Sequence, residues 1–273
     1  MTPEQAWQII LRQCHQPDTT SDRWPSEVPL SDDDHARQLL QLFQPLIEPA
    51  FANQKQGMYV VAQMGQSLDG RIATVTGKSR YINGEDGLVH LHRLRAVSDA
   101  VLVGSGTASA DNPRLTVRMT SGPNPVRVVV DRNRRVPESH HLFTDGTAPT
   151  LRLVAKDGHS PSLPDALTGG VQDIPCLTGG NGPIAPREVL AVLERLGLRR
   201  IFVEGGGQTV STFLTAGLVD RLHVLVAPMI IGSGQPAFSL PEIDSLGDAL
   251  RPKARMVNLG TDMLFDLAFD TGR

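Results

Sequence analysis

Aromatic residues make up only 4% of the 273-residue chain, and its formal net charge is −3. A nucleic-acid binder usually presents basic surface and aromatic stacking platforms, so the two deficits together argue against that class. Only two cysteines occur, Cys14 and Cys176, too far apart for a metal or redox pair. H-E-x-x-H, C-x-x-C and the His-x-Glu…Pro-Cys-x-x-Cys signature of zinc deaminases are absent. His90 and His92 stand two apart and so do not share a helix face as an i,i+4 metal pair would. No metal is expected. There is also no G-x-S-x-G elbow and no Gly-Lys-Ser/Thr phosphate loop, which leaves serine hydrolysis and P-loop chemistry unsupported. The longest apolar stretch, around Leu222 to Ile231, is interrupted by His223 and Pro228. It falls well short of the roughly 20 residues a membrane span requires. The N-terminus, Met1-Thr2-Pro3-Glu4-Gln5, has no apolar signal core. The expectation is a soluble, cytoplasmic protein without membrane or nucleic-acid partners.

What is present is ordinary globular material. Apolar residues are 40% and charged residues 20%, and the length allows one or two domains at about 150 residues each. Glycine (26) and proline (20) stay below the combined roughly 25–30% that marks low-complexity chains. Residues 1–56 read differently from the rest. A short helix from Pro3 to Gln13 carries Ala6, Trp7, Ile10 and Leu11. After a polar loop through Trp24-Pro25, Ser31 reads as an N-cap with Asp32, Asp33 and Asp34 in the first turn. Ala36, Leu39, Leu40, Phe43 and Ile47 follow at helical spacing, disturbed by Pro45 and Pro49. This is a helical N-terminal extension, packed on the main body or on a second copy.

From residue 57 to 273 short apolar strands alternate with helices. Strands are expected at Met58–Met64, Ala100–Val103, Val126–Val130, Leu151–Ala155, Ile201–Glu204 and Leu222–Val226, with a closing hairpin around Gly260-Thr261-Asp262. Helices are expected after Asn83 as N-cap, with Leu88, Leu91 and Leu94 on one side, and from Pro186 to Gly197. Alternation of this kind predicts an α/β fold, a mixed and mostly parallel sheet with helices on both faces.

Two segments share one design, a buried strand, a glycine turn and a helix: Val101-Leu102-Val103-Gly104-Ser105-Gly106-Thr107 and Phe202-Val203-Glu204-Gly205-Gly206-Gly207-Gln208-Thr209. Glycine lets backbone approach a ligand, and the free N–H groups of a helix start attract phosphate. Neither is G-x-G-x-x-G, because Val210 stands where the third glycine would be, so a dinucleotide on a sheet unlike the Rossmann type fits better. Arg95 and Arg118 are candidate phosphate ligands, and Arg132, directly after a strand, suits a 2′-phosphate and hence NADP.

The runs Gln66-Ser67-Leu68-Asp69-Gly70-Arg71-Ile72-Ala73, Leu94-Arg95-Ala96, Asp99 through Thr107, and Asp111-Asn112-Pro113 with Leu115-Thr116-Val117-Arg118 continue into Val203-Glu204-Gly205-Gly206-Gly207, Ala216-Gly217-Leu218-Val219-Asp220 and Gly232-Ser233-Gly234. In this order, from Met58 to Phe269, the chain resembles the reductase domain of bifunctional riboflavin-biosynthesis deaminase–reductases. The resemblance implies a dihydrofolate-reductase-like fold, NADPH as hydride donor, and a phosphorylated small-molecule substrate, a 5-phosphoribosylaminopyrimidine whose ribosyl group becomes a ribityl chain. It implies substrate contacts from Ser79, Arg95, Leu115, Arg118 and Glu204, with Arg95 and Arg118 on the 5′-phosphate and Glu204 as the catalytic candidate. It implies cofactor contacts from Gly65, Tyr81, Thr107, Asp111 and Arg132, and from Gly206, Gly207, Gln208, Thr209, Val210, Ser211 and Thr212. Tyr81 stands where the family often has tryptophan, and Arg132 where it has serine. A homodimer is implied, with residues 1–56 a candidate to cover its interface. Asp69 is expected to stabilise the Ser67–Gly70 turn. The family's deaminase domain has no counterpart in residues 1–56, so a stand-alone reductase is expected. A paralogous reductase with another pyrimidine or pteridine-like substrate, and a non-catalytic nucleotide-binding module, remain alternatives; Arg95, Arg118, Asp111 and Glu204 together speak against the module.

Overall fold

A computed structural model describes residues 1–15, 34–47, 57–156, 163–164, 167, 169–178 and 184–270. Ser31, Asp32, Asp33, the loop through Trp24-Pro25, and Pro49 lie outside the described residues. In chain order the elements are α1 (Pro3–His15), α2 (Asp34–Ile47), β1 (Tyr59–Ser67), β2 (Arg71–Thr74), α3 (Glu85–Val97), β3 (Ala100–Gly104), α4 (Ser105–Asp111), β4 (Val126–Val130), α5 (His141–Thr144), β5 (Thr150–Ala155) and β6 (Val171–Leu177). Then come α6 (Pro186–Arg195), β7 (Arg200–Glu204), α7 (Gly207–Thr215), β8 (Arg221–Ala227), β9 (Gly234–Pro236), a 3-10 turn (Leu246–Asp248), β10 (Lys253–Leu259) and β11 (Asp262–Ala268). Among the described residues no helix is long and apolar enough to cross a membrane.

Nine strands form one sheet in the order β10-β11-β8-β1-β7-β3-β4-β5-β6. The run from β8 to β6 is parallel, and the hairpin β10–β11 adds antiparallel strands at one edge. Strands buried on both faces need continuous apolar runs, which is what Ala-Val-Leu-Val and Ile-Phe-Val supply. One face carries α6 and α7, packed through Val189, Leu193, Val210 and Phe213 on Val60, Leu102 and Val203. The other carries α1, α2, α3 and α5 on Val61, Val101, Val129 and Phe202. The fold class expected from the alternating pattern is the one observed.

β7 enters late, between β1 and β3. Asp99 guides it there: its carboxylate accepts the backbone N–H groups of Arg199 (2.9 Å) and Arg200 (2.8 Å) and pairs with the Arg200 guanidinium (2.7 Å). From β3 the chain moves outward to β4, whereas from β7 it crosses over β1 to β8, so the connections diverge between these neighbours. Such a switch point opens a crevice at the strands' carboxyl ends. Both glycine turns lie at it.

Three local expectations change. The N-cap of α3 is Gly84, not Asn83, and the Asn83 side chain instead donates to Leu225 O (3.4 Å). Of the expected Leu88, Leu91 and Leu94, only Leu94 is fully buried; Leu91 is half-buried against the core and Leu88 is 42% exposed, while Gly87 and His90 are buried. That face packs on β8, where Gly87 lies against Leu225 and His90 meets His223 (2.9 Å), with Phe43 of α2 edge-on to His90. Third, Pro45 lies inside α2 rather than ending it. Proline removes the N–H that would reach Gln41 O, and Arg255 Nη2 donates to that carbonyl instead (3.0 Å). Strands β2, β6 and β9, short or Gly- and Pro-containing, were not expected from the pattern.

The N-terminal helices pack on the chain's own sheet. Trp7, Ile10, Leu40 and Phe43 join the same core as Leu94 and Phe202, with Trp7 edge-on to Phe43 at 5.3 Å. Cys14 is buried, its thiol donates to Val97 O (3.3 Å), and burial pushes its pKa up to about 11. Cys176 is also a free, buried cysteine.

Candidate functional site

The switch point holds a cleft of about 1280 Å³. The two glycine turns form its floor and fit into each other. A Cβ on Gly206, whose φ is +72°, would stand 2.5 Å from Thr107 Oγ1, and one on Gly104 would stand 2.6 Å from Thr209 Oγ1. Each turn therefore needs glycine against a threonine of the other. Neither Gly104 nor Gly206 offers a side-chain cap to the helix it starts. Gly207 in turn lies close under the segment entering from β9, where a Cβ would meet Ala237 O at 2.6 Å.

Among the residues expected from the sequence, Gly65, Ser79, Tyr81, Thr107, Asp111, Leu115, Arg132, Glu204, Gly206, Gly207, Gln208, Thr209 and Thr212 line this one cleft. Arg95, Arg118, Val210 and Ser211 do not. The helical period of α7 turns the last two toward the protein: Val210 is in the core, and Ser211 Oγ accepts Ser239 N–H (2.8 Å). Tyr81 (φ 66°) and Leu115 (φ 53°) are left-handed, an uncommon state for bulky residues that concentrates at ligand sites. Arg135, which with Arg132 and Arg134 follows the strand Val126–Val130, also lies on the cleft wall, whereas sequence reasoning missed Asn83 and Asp131 there. Asn83 carried a signal that was read as a helix cap. Its Oδ1 fills the space a Gly65 Cβ would take, at 2.0 Å, which explains the glycine inside β1.

Glu204 ends β7 with its side chain 14% exposed. Arg95, from α3, grips it bidentately: Nε to Oε2 at 2.8 Å and Nη2 to Oε1 at 2.5 Å, while Nη1 donates to Thr116 O (2.9 Å). Arg95 was expected on the substrate's 5′-phosphate. Its guanidinium is instead buried, with three of its five N–H donors on Glu204 and Thr116, so its first partner in the structure is Glu204. Arg118 is different: it is exposed, and Nη1 rests on Thr116 Oγ1 (2.5 Å) and O (3.3 Å). Partial burial of its inner atoms, then the positive charges of Arg95 and Arg114, hold its pKa below the usual arginine range, with Glu204 and Asp145 opposing.

His92, also missed, accepts the backbone N–H of Arg118 through Nδ1 (2.9 Å). Burial, then the nearby Arg95 and Arg118, lower its pKa to about 4, so it is a neutral acceptor near neutrality. In the cleft, burial raises the pKa of Asp111, with the charge of Glu204 adding to this and Arg80 opposing it. Asp69 accepts Ser67 Oγ–H (2.6 Å) and the N–H groups of Ile231 (3.1 Å) and Gly232 (2.7 Å). These bonds, that from Ser67 foremost, lower its pKa to about 2. It ties the β1–β2 turn to the loop after β8, the structural role expected of it.

Residues 58–265 match the family model described as "RibD C-terminal domain". The chain is similar to the 2,5-diamino-6-ribosylamino-4(3H)-pyrimidinone 5′-phosphate reductase of Methanothermobacter thermautotrophicus, 37% identical over 215 residues, 76% of this chain and 96% of that protein. It is similar to the riboflavin biosynthesis protein RibD of Bacillus amyloliquefaciens, 38% identical over 175 residues, 64% of this chain but 46% of that protein. Among solved structures it resembles the diaminohydroxyphosphoribosylaminopyrimidine deaminase/5-amino-6-(5-phosphoribosylamino)uracil reductase of Thermotoga maritima, with TM-score 0.62 and 25% identity over 85% of this chain and 61% of that one. The match thus spans nearly all of the archaeal reductase and about half of the RibD relative.

Proposed function

The chain belongs to the RibD C-terminal domain family, and on that premise we propose that it is a cytoplasmic, NADPH-dependent reductase of a 5-phosphoribosylaminopyrimidine. The ribosyl group becomes ribityl, and either the pyrimidinone or the uracil serves as substrate. The observation that carries this reading is the convergence of both glycine turns, Glu204 and Asp111 on one cleft. The residues fit a dinucleotide. The start of α7 has no side-chain cap, and a Cβ at Gly206 would fill the cradle beside Thr107. Thr107, Gln208 and Thr209 then offer hydrogen bonds to a pyrophosphate, and Arg132 and Arg135 lie on the same wall for a 2′-phosphate.

When bound, NADPH supplies the hydride that adds at C1′ of the ring-opened ribosylamine. The chain's share is placement. Arg95 occupies one lone-pair direction on each Glu204 oxygen, which leaves the others for substrate hydroxyls or a ring N–H, and Glu204 is the group to hold or pass a proton there. Exposed Arg118 anchors the 5′-phosphate, so binding energy remote from C1′ fixes the reacting end. Turnover is tested by loss of reduced-nicotinamide fluorescence with each phosphoribosylaminopyrimidine. Arg118→Ala should raise KM for the phosphorylated substrate by about 10- to 100-fold, the worth of a charge-assisted hydrogen bond, with NADPH affinity unchanged. NADPH binding with no turnover on either substrate refutes the assignment.

A homodimer is supported by the segment between β9 and β10, where Leu240, Ile243, Leu246 and Leu250 are all exposed. The helices α1 and α2 are already seated on their own sheet, so they are not needed to cover that interface. Sedimentation equilibrium decides: Leu246→Asp should shift the protein to monomer, and a monomeric parent protein ends the idea.

A further inference from the structure

The segment from Asn112 to Pro125, which carries Leu115 and Arg118, has neither helix nor strand. It is held in place by side chains of other elements. From α3, Arg95 takes Thr116 O (2.9 Å) and His92 takes Arg118 N–H (2.9 Å). Within the segment, Asn124 Oδ1 accepts Val117 N–H (2.8 Å). Beyond Arg118 the hold passes to α1. Trp7 Nε1 donates to Ser121 O (3.0 Å) and Gln8 Nε2 to Ser121 Oγ (2.9 Å). Gly122 is wedged between the helices: a Cβ there would stand 2.6 Å from Ala96 Cβ and 3.2 Å from Leu11 Cδ2.

α1 is itself firmly placed. Trp7 is fully buried, edge-on to Phe43, with the Arg93 guanidinium 5.5 Å over its ring. At the other end of the helix Arg200 donates to Cys14 O (3.0 Å) and His15 Nε2 meets Ala96 O (2.8 Å). Residues 1–57 lie outside the span matched by the family model, so the hold of α1 on the segment comes from beyond the matched domain.

We propose that α1 is a clamp on the substrate-binding segment, with Trp7 and Gln8 as positioning residues that fix Ser121 and thereby set Arg118 for the substrate's 5′-phosphate. The proposal rests on the reading of Arg118 as phosphate anchor. Its physical basis is that an exposed arginine on an irregular segment gains affinity only if the segment is ordered beforehand; otherwise ordering is charged against binding. Two hydrogen bonds on the carbonyl and hydroxyl of one residue, three positions from Arg118, remove that freedom. They do so without touching substrate, so their effect is confined to the interaction Arg118 makes.

The test is steady-state kinetics of the full chain carrying Trp7→Phe and Gln8→Ala together. Phenylalanine keeps an aromatic ring against Phe43 and under Arg93 while deleting the donor and part of the indole's volume, so a parent-like urea transition of the variant accompanies the kinetics. KM for the phosphorylated substrate should rise about three- to tenfold, while kcat, the NADPH KM and the KM for the dephosphorylated riboside stay as in the parent. In an Arg118→Ala background the same pair should add nothing further. Amide hydrogen exchange over residues 116–122 should quicken in the variant. An equal KM rise for both substrates, or a rise that persists without Arg118, overturns the clamp and assigns α1 a general structural role. So does an unchanged KM in a variant where Arg118→Ala alone raises it. If Arg118→Ala leaves the phosphate dependence intact, the anchor reading itself fails and takes the clamp with it.

Discussion

Arg95 and Glu204 provide the sharpest energetic test, because they are buried together and differ in role from two independent ligands. Their side chains are 5% and 14% exposed, and two parallel hydrogen bonds join them. Removing one partner of such a pair leaves a charge with little solvent and costs about 3–5 kcal/mol. Arg95→Met should therefore destabilise by about that amount, since Thr116 O keeps Arg118 Nη1 (3.3 Å) as a donor. Glu204→Met should cost about 3–5 kcal/mol, softened by the water its partial exposure admits. The double variant leaves no unpaired charge, so it should cost little more than either single one, which makes the coupling nearly as large as one single cost, about 3 kcal/mol. In heat denaturation each single change lowers Tm by roughly 2–4 °C per kcal/mol in a domain of this size. Urea unfolding at neutral pH measures all three. The coupling should survive high salt, since buried pairs are screened far less than exposed ones. Additive single costs, with coupling below about 0.5 kcal/mol, would refute the claim that Arg95 is spent on Glu204 and would reopen it as a phosphate ligand.

Two more outcomes follow from the glycine turns and the buried histidines. Gly206→Ala should cost about 1–2 kcal/mol for its left-handed backbone and weaken NADPH about tenfold in a fluorescence titration, because the new methyl displaces Thr107 on the cleft floor. Gly217→Ala, at φ +64° with nothing within 4 Å, should cost similar stability with NADPH affinity unchanged; equal weakening by both would falsify the cradle. Acid should unfold the protein early. His90 Nε2 and His223 Nδ1 are 2.9 Å apart in the core, and burial holds both pKa values below the usual 6.5, as it holds His92 at about 4. Below pH 6.5 the unfolded chain takes up protons that the folded chain refuses, so stability must fall as pH falls through that window. His92 alone accounts for on the order of 3 kcal/mol between its two pKa values. Against burial, hydrogen bonds from Arg221 and Arg255, with His223 3.4 Å away, hold the Asp266 carboxyl so low that its contribution is lost only in stronger acid. Urea midpoints that stay level from neutrality to pH 5 contradict this account.

The strand–helix alternation and the two glycine turns were legible in the chain because each rests on local chemistry, β-branched runs and backbone freedom; Glu204 was singled out by the family resemblance. Residues of α3 were harder. Its buried stripe depends on which strand lies beneath it, and only the folded chain brings His223 and Leu225 of β8 under His90 and Gly87 while Leu88 faces the cleft. Pro45 read as a helix end because no local pattern reveals that Arg255, 210 positions on, satisfies the freed carbonyl of Gln41.

By itself the sequence determined the α/β class and the two glycine turns, which follow from periodicity and backbone freedom, whereas Ser79, Tyr81, Leu115 and Glu204 were reached through the family resemblance. The tertiary structure alone decided how the charges are spent. Arg95 and Arg118 are alike in sequence as candidate phosphate ligands. Burial of the one beside Glu204 and exposure of the other on a side-chain-held segment give them different work. Composition cannot reveal that difference, because desolvation is a property of neighbours brought together from α1, α3 and β7.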